Sequence, residues 1–229
     1  MQKFVSPHLF FYLKYTLNER IVFFMNDIAK IINAIKLAQN LKMELRHSWL
    51  SNGRQESVAE HTWRMSFMAI LIAPYIKNIN HEKLIKMIII HDLVEAIVGD
   101  IPAFNTLYQI EEKNKKEQME FEAALEIKNI LPKEIGEEVF HLWLEFEEKK
   151  TYEAKVANAL DKLEVQLQHN EAHISTWLEI EYEMLYKMSE HVNFDSFLSQ
   201  LKDVIEKDGE NKMLEAGIKV EKYKKISDS

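Results

Sequence analysis

Apolar residues recur every three or four positions along almost the whole chain, which is the spacing of an amphipathic helix. In the first clear case, Asn26 or Asp27 can cap a helix with one apolar face. That face holds Ile28, Ile31, Ile32 and Ile35. We therefore expect helices, and not strands, to build the fold.

Capping signals place the helices that follow. The stretch 57–60 (SVAE) has the form of a capping box, and the helix that it opens is predicted to run to about Pro74. Asn80 can cap another helix, which is predicted to end near Gly99. The polar stretch 51–55 is predicted to be a loop. Further helices are predicted over residues 107–131, 133–149, 152–170, 176–190 and 195–207.

No repeat, low-complexity tract or linker interrupts this pattern, so the 229 residues are predicted to form one all-α domain. The domain is expected to cover residues 25–206, with a polar tail over 207–229. Residues 1–24 are rich in aromatic side chains. They are interpreted either as an additional helix packed on the domain or as an upstream extension before a true start at Met25. We favour the extension, because a well-patterned helix begins just after Met25.

The composition excludes several classes of protein. Five glycines and four prolines are too few for the frequent turns of an all-β fold. The lack of cysteine excludes disulfides, thiolate metal sites and a cysteine nucleophile, and it agrees with a cytoplasmic location. A net charge of -8 disfavours nonspecific binding to nucleic acid or anionic membranes. No apolar run is long enough to span a bilayer. A phosphate substrate would therefore need positive charge from a metal or from a few Lys and Arg side chains.

One stretch carries polar residues where a core helix is predicted. Residues 86–100 (KMIIIHDLVEAIVGD) are apolar nearly all round, yet they include His91, Asp92 and Glu95. A carboxylate in such surroundings is costly unless it is paired or bound to a metal. A single buried histidine is usually a hydrogen-bonded structural residue, whereas an adjacent buried His–Asp pair is rarer. Taken alone, the pair leaves the structural and the metal-binding interpretations open.

Two further residues favour a metal site. His61 lies in the first turn of the preceding helix, and Asp161 lies on a largely apolar face of a later helix. Two imidazoles and two carboxylates on three helices can converge in the core of a bundle. The predicted ligands are His61, His91, Asp92 and Asp161. This mixed nitrogen and oxygen set suits one Mn, Fe, Co, Ni or Zn ion, with Mg as a further option, and leaves positions for water and substrate.

The order His, His-Asp, Asp with these spacings is the pattern of the HD superfamily of metal-dependent phosphohydrolases. Over roughly residues 28–205 the sequence resembles the HD-domain-containing protein 2 family, which is similar to bacterial HD-type 5'-deoxynucleotidases. The resemblance is carried by LKMELRHSW (41–49), RQESVAEH (54–61), HDLVEAIVGDIP (91–102), LWLEFE (142–147) and ALDKLE (159–164). It implies a single HD-domain helical bundle that holds its metal on the four predicted ligands.

The resemblance also implies roles for other residues. Glu95 and Asp100 match the acidic residues beside the metal-bound water and the leaving group, and which of them is base or acid stays open. Arg46 matches the arginine that contacts the phosphate. In the bacterial enzymes a tryptophan follows that arginine directly, whereas here His47 follows and the tryptophan is Trp49. We predict that Trp49 packs against the sugar or base. Because the tryptophan is not directly after Arg46 as in the bacterial enzymes, the preference between ribose and deoxyribose stays open.

The predicted reaction is hydrolysis of a nucleoside 5'-monophosphate, with deoxynucleotides as the favoured class. A pyrophosphohydrolase of the guanosine tetraphosphate type is disfavoured, because Glu95 is followed by Ala96 where those proteins have Glu-Asp. The cyclic-dinucleotide type needs a Gly-Tyr-Pro element that the sequence lacks. A catalytically silent HD scaffold, acting as a nucleotide sensor or interaction module, would usually have lost a ligand or the acidic pair. It stays open as the alternative.

Other polar residues are assigned ordinary structural roles. Glu60 is explained by the capping box alone. A solvated helix face is the interpretation for Lys113, Lys115 and Lys116. The histidines that show no comparable cluster in the sequence are His8, His47, His81, His141, His169, His173 and His191.

A small-molecule nucleotide is the expected partner, and the resemblance also implies a homodimer. Some aromatic residues look exposed on predicted helices and would suit a subunit interface. They are Trp143, Trp177 and Tyr186. The same residues would also suit the core, so this interpretation stays open.

Overall fold

The computed structural model describes residues 25–102 and 109–227, with side chains to residue 224. The helices are α1 (25–38), α2 (Val58–Ile72), α3 (His81–Ile90), α4 (Glu95–Val98), α5 (Ile110–Ile130), α6 (Lys133–Glu148), α7 (Tyr152–Glu171), α8 (Glu179–Met184), α9 (Ser189–Val192), α10 (Ser196–Glu215) and α11 (Val220–Ser227). Short 3₁₀ turns cover Gln39–Lys42, Ala73–Tyr75, Ile174–Thr176 and Leu185–Lys187. The predicted all-α class is therefore confirmed. Residues 1–24, for which an extension was favoured, lie outside the described residues.

The starts of α2 and α3 follow the predicted capping chemistry. The Ser57 hydroxyl accepts a hydrogen bond from the Glu60 N–H at 3.3 Å, and the Glu60 carboxylate accepts one from the Ser57 N–H at 2.8 Å. The Asn80 side-chain oxygen accepts from the Lys83 N–H at 3.1 Å. Because these bonds satisfy N–H groups that a helix start leaves free, they fix both starts where the sequence predicted them.

The polar stretch 51–55 is the turn region of a small antiparallel hairpin, which the sequence analysis did not predict. Its strands are β1 (Leu45–Trp49) and β2 (Gln55–Ser57). Gly53 adopts a φ of 84°, which favours glycine, and so allows the tight reversal. The strands are too short to show a period of two in the sequence. The hairpin matters for the site because β1 carries Arg46.

The helix predicted to reach Gly99 breaks after Ile90. The chain then makes a tightened turn, in which the Leu93 N–H donates to the Ile90 carbonyl at 2.9 Å and the Glu95 N–H donates to the Asp92 carbonyl at 3.0 Å. These bonds span three residues instead of four, so the continuous α-helix prediction was wrong here. The turn carries the adjacent His–Asp pair.

The C-terminal part also departs from the prediction. The single helix expected over 176–190 is divided into α8, a 3₁₀ turn and α9, and α10 continues past the expected end at 207 to Glu215. Beyond that point Met213, Val220 and Tyr223 are buried in the main core. Segment 207–224 therefore packs on the same core as the rest, because a mostly polar helix can still present one apolar stripe.

Helix α7 lies in the centre of the core, where Ala157, Leu160 and Leu163 are fully buried. The main core joins apolar faces of α2, α3, α7 and α10. The three aromatics interpreted as exposed are buried as well: Trp143, Trp177 and Tyr186. Of the two interpretations left open, the core is therefore the one observed: Trp177 and Tyr186 pack in the main core, and Trp143 packs in a second of the three hydrophobic clusters of the described chain.

The apolar face predicted on α1 is present but lies at the surface. Exposed fractions of 49%, 37%, 45% and 66% are found for Ile28, Ile31, Ile32 and Ile35. Asn26 and Asp27, expected to cap this helix, already lie within it. Along the described residues, no helix combines the length and apolar content needed to cross a membrane.

Candidate active site

The four predicted metal ligands lie side by side in the core. His61 comes from α2, His91 and Asp92 follow α3, and Asp161 comes from α7. The Nε2 atom of His61 lies 3.3 Å from Oδ1 of Asp161 and 3.7 Å from Oδ2 of Asp92. The same Asp92 oxygen lies 3.0 Å from Nε2 of His91. We call His61, His91, Asp92 and Asp161 the metal cluster.

Hydrogen bonds at the far side of each imidazole leave Nε2 facing the cluster. The Nδ1–H of His91 donates to the Ile88 carbonyl at 2.6 Å, and Nδ1 of His61 pairs with the Glu164 carboxylate. Both Nε2 atoms are buried and have no hydrogen-bond partner among the described residues. Metal-binding histidines use their second nitrogen in this way, and a buried polar atom is costly without a partner. The residues therefore fit a divalent metal.

Glu164 is a site residue that the sequence analysis missed. It is fully buried, and its second oxygen accepts a hydrogen bond from Nε of Arg64 at 2.5 Å. Burial and Arg46 oppose the charged form of His61, but Glu164 and Asp161 outweigh them and raise the pKa of His61 to about 9. A metal ion would therefore compete with a proton at this imidazole.

Within the described chain, ligand atoms of His61, His91 and Asp92 all lie within 4.8 Å of one another, and a second group of this kind shares His61 and adds Glu56 and Glu164. Burial and the neighbouring Glu164 raise the pKa of Glu56 to about 7. In the described part of the chain, neither glutamate lines the cavity onto which the metal cluster opens. Glu164 is moreover already paired with Arg64. This group is therefore better suited to orienting His61 than to holding a catalytic metal.

Arg46 places a positive charge at the edge of the metal cluster. Its Nη1 atom donates to Oδ2 of Asp92 at 3.2 Å, and its Nε atom lies 3.8 Å from Oε2 of Glu56. Burial opposes the charged form of Asp92, but His91 and Arg46 hold the pKa of this carboxyl well below its usual range. The guanidinium lines the cavity, so a ligand can reach it.

His91, Asp92 and Asp161 of the metal cluster line a cavity of about 280 Å³, and His61, as far as the described residues define the wall, is not part of this lining. Its lining includes the cationic residues Arg46, Lys113, Lys116, Lys149 and Lys162. The interpretation of Lys113 and Lys116 as part of a solvated face was therefore incomplete, because their helix borders the cavity. The Lys116 ammonium donates to the Ile101 carbonyl at 2.9 Å, which holds it at this wall.

Glu95 and Asp100 line the same cavity. Glu95 is 7% exposed, and burial, reinforced by Asp92 and Asp100, raises its pKa to about 10. Burial also raises the pKa of Asp100, whose backbone N–H donates to the Glu44 carboxylate at 3.0 Å. Carboxyl groups that hold protons this tightly beside a metal cluster suit general acid–base chemistry.

Trp49 is absent from the cavity lining, as far as the described residues define it. It lies three positions after Arg46 on β1, whose pairing with β2 shifts register between Leu45 and Trp49. Its carbonyl accepts from Gln168 at 2.6 Å, and its ring meets the edge of His47 with 4.7 Å between centroids. His47 and Ser48 reach the cavity instead.

Farther along the cavity lies a second polar group, which the sequence analysis also missed. The Ser48 hydroxyl lies 3.5 Å from Nε2 of His169, and Oε1 of Glu181 lies 3.7 Å from that nitrogen and 3.4 Å from Nε2 of His47. Burial lowers the pKa of His169 to about 4 and raises that of Glu181 to about 7. We call Ser48, His169 and Glu181 the His169 cluster.

The profile of the HD domain matches residues 38–201. The chain belongs to the HD domain family. It is 36% identical to "5'-deoxynucleotidase HDDC2" of Dictyostelium discoideum over 62% of this chain and 76% of that protein. It is 33% identical to "5'-deoxynucleotidase HDDC2" of Homo sapiens over 62% of this chain and 67% of that protein.

Solved structures agree with the family. A crystal structure described as a predicted metal-dependent phosphohydrolase, from Magnetospirillum magnetotacticum, has a TM-score of 0.66 and 27% identity, and covers 80% of this chain and 97% of that one. A conserved hypothetical protein from Pyrococcus furiosus has a TM-score of 0.59 and 31% identity, and covers 78% of this chain and 99% of that one. The family predicted from the sequence is confirmed, and the cavity described above belongs to its HD domain.

Proposed function

We propose that this HD-domain protein hydrolyses deoxynucleoside 5'-monophosphates to the nucleoside and inorganic phosphate. One observation carries the proposal: two buried Nε2 atoms, without a hydrogen-bond partner in the described chain, meet two carboxylates at a cavity that also holds Arg46. The substrate class is supported by the relatives from Dictyostelium and Homo sapiens, which are both named 5'-deoxynucleotidase.

We infer that one divalent cation is held by His61, His91, Asp92 and Asp161. When bound, such an ion neutralises phosphate charge and lowers the pKa of a water molecule. The mixed donor set favours Mn, Co, Fe, Ni or Zn, with Mg as a further option. The chain has a net charge of -8, which would repel a phosphate, and the positive charge of the ion offsets this repulsion at the site.

Arg46 is proposed to grip the phosphate. Its guanidinium is held at the metal cluster by the 3.2 Å bond to Asp92, and its planar fork suits two phosphate oxygens. The lysines of the cavity wall add positive charge around it. An Arg46→Ala variant should therefore keep its metal but show a raised KM.

Glu95 and Asp100 are proposed to move the protons. One carboxyl group accepts a proton from the attacking water, and the other donates a proton to the departing 5'-oxygen. The raised pKa of Glu95, about 10, supports a part in proton transfer, and burial raises the pKa of Asp100 as well. No covalent intermediate on the protein is required.

The homodimer is also a proposal. The apolar stripe of α1 (Ile28, Ile31, Ile32 and Ile35) is exposed along two turns, and a contiguous exposed stripe suits contact with the same stripe of a second copy. Light scattering should show a dimer for the wild type and a monomer for Ile32→Asp. Val204→Asp, at a residue that is 68% exposed, is the matched control and should stay dimeric. A monomeric wild type at micromolar concentration would contradict the proposal.

The test of the function is phosphate release from a panel of 5'-monophosphates, 3'-monophosphates and triphosphates, each as the ribo and deoxy form. With Mn or Co added, we expect turnover of the 5'-monophosphates, highest for the deoxy forms, and little from the others. Preference for a triphosphate or guanosine tetraphosphate would contradict the proposal. No turnover with any metal would favour the silent HD scaffold.

A further inference from the structure

The cavity extends well beyond the metal cluster along α7. Asp161, Val165 and His169 line it from successive turns of this helix. Eight residues separate Asp161 from His169, which is about 12 Å at the rise of an α-helix. Arg46 and Ser48, both on β1, line the same cavity. A nucleoside monophosphate has a comparable distance between its phosphate and the outer edge of its base.

The chemistry of the cavity changes along this length. The lysine that α7 contributes to the lining, Lys162, pairs with Asp161 at 2.9 Å and is seven residues before His169. Burial keeps His169 neutral at pH 7, because it lowers the pKa of the imidazole to about 4. A neutral imidazole and a hydroxyl each donate and accept one hydrogen bond or more. This end therefore suits an uncharged ligand edge that carries both donors and acceptors.

The surrounding structure holds the His169 cluster in a fixed position. The Trp177 indole N–H donates to the His169 carbonyl at 2.9 Å, and the Leu178 N–H donates to Oε2 of Glu181 at 2.6 Å. Ser48, His169 and Glu181 are 2%, 8% and 3% exposed, so water does little to weaken their hydrogen bonds. Groups that are fixed before a ligand arrives lose little entropy when it binds.

We propose that Ser48, His169 and Glu181 form the base-binding end of the site, where they hydrogen-bond the edge of the nucleobase. Arg46 and the metal cluster take the phosphate at the other end. This inference rests on the proposed function, and it names the residues that distinguish a nucleotide from other phosphate monoesters.

The test compares thymidine 5'-monophosphate with 2-deoxyribose 5-phosphate, which has the same phosphate and sugar but no base. His169→Phe removes both ring nitrogens and keeps an aromatic ring beside Trp177, whose centroid lies 5.6 Å away. We expect kcat/KM for the nucleotide to fall about tenfold, mainly through KM, as for the loss of one hydrogen bond. For 2-deoxyribose 5-phosphate it should change less than about twofold. His169→Gln should recover part of the loss, because its amide replaces one ring nitrogen. His141→Phe, at an exposed histidine on α6, is the control, and kcat/KM should be unchanged for both substrates.

An equal loss on both substrates would overturn the inference, as would unchanged kinetics on both. Calorimetric titration of a non-hydrolysable phosphonate analogue of thymidine 5'-monophosphate into metal-loaded wild type and His169→Phe provides a readout without turnover. Equal affinities there would also overturn it. If the wild type hydrolyses neither compound, the proposed function fails, and the titration still decides whether the His169 cluster binds the base.

Discussion

At the metal cluster, two buried imidazole nitrogens find no hydrogen-bond partner within the described chain, although three charged side chains surround them. At the His169 cluster, the Ser48 hydroxyl lies 3.5 Å from Nε2 of His169, which is the long end of hydrogen-bond distance, and Oε1 of Glu181 lies 3.7 Å from the same nitrogen. The first arrangement brings carboxylate oxygens to imidazole nitrogens and suits a proton or a metal cation between them, whereas the neutral His169 imidazole can exchange its long contacts for hydrogen bonds to a neutral ligand. The two ends of the cavity therefore call for different ligands, one a metal with phosphate and the other a base.

The largest expected effect is the loss of the metal cluster itself. Asp92→Ala removes an oxygen that lies near both imidazoles and near Arg46, so metal and turnover should disappear together. Loss of a residue that only hydrogen-bonds a metal ligand typically lowers activity roughly 10- to 100-fold, and the loss for Asp92→Ala should be larger. Metal content and phosphate release are measured on the same samples. Asp208→Ala, at an exposed aspartate on α10, is the control and should match the wild type. A metal-loaded, active Asp92→Ala enzyme would remove Asp92 from the site.

The next effect separates chemistry from metal binding. Glu95→Gln keeps the size of a buried side chain but cannot transfer a proton, so the metal should remain while kcat falls about 10²- to 10⁴-fold. The measurement is kcat at saturating metal, with metal content determined in parallel. Full turnover in this variant would exclude Glu95 from proton transfer.

A smaller effect is expected from the residue that orients His61. Glu164→Gln weakens the bond at Nδ1, so metal affinity should fall about 10- to 100-fold, with turnover recovered at high metal concentration. Glu171→Gln is the matched control, because Glu171 also pairs with Arg64 but lies at the surface. Titration of metal into the purified variants measures the affinity. Equal affinities for the two variants would argue against this role of Glu164.

The last effect is on stability and not on turnover, and it concerns the His169 cluster. Burial lowers the pKa of His169 from 6.5 to about 4, so between these values a proton binds the unfolded chain but not the folded one. Stability supplied by the neutral imidazole is present above pH 6.5 and is lost as the pH falls towards 4. The free energy of unfolding should drop more for the wild type than for His169→Gln, by up to about 3 kcal/mol. Urea denaturation across this range measures it, and parallel pH profiles would contradict it.

The metal cluster could be predicted from the sequence because its residues contrast with their neighbours. His91 and Asp92 interrupt an apolar run, and Asp161 lies on an apolar helix face, so each is conspicuous where the pattern predicts a core. Glu164 gives a similar signal, one turn after Asp161 on the same helix. Its role is to orient the ligand His61 and not to bind the metal, so a search for metal ligands alone does not find it.

The His169 cluster gave no such contrast. Ser48, His169 and Glu181 come from three distant segments, and the sequence does not show that they meet. Ser48 also lies on a hairpin strand that is too short to be predicted from its pattern. Trp49 was selected by its distance from Arg46 along the chain, but within the described residues His47 and Ser48 line the cavity and Trp49 does not. Spacing alone therefore predicts a shared face only once the local structure is known.

The most direct test of the central claim is a crystal structure of the Mn-loaded protein with anomalous diffraction at the metal edge. The account predicts one anomalous peak per chain, with nitrogen or oxygen atoms of His61, His91, Asp92 and Asp161 about 2.0 to 2.4 Å from it. A peak held instead by Glu56, His61 and Glu164, the other group able to share an ion, would contradict the account. So would a fully loaded crystal without a peak at the cavity.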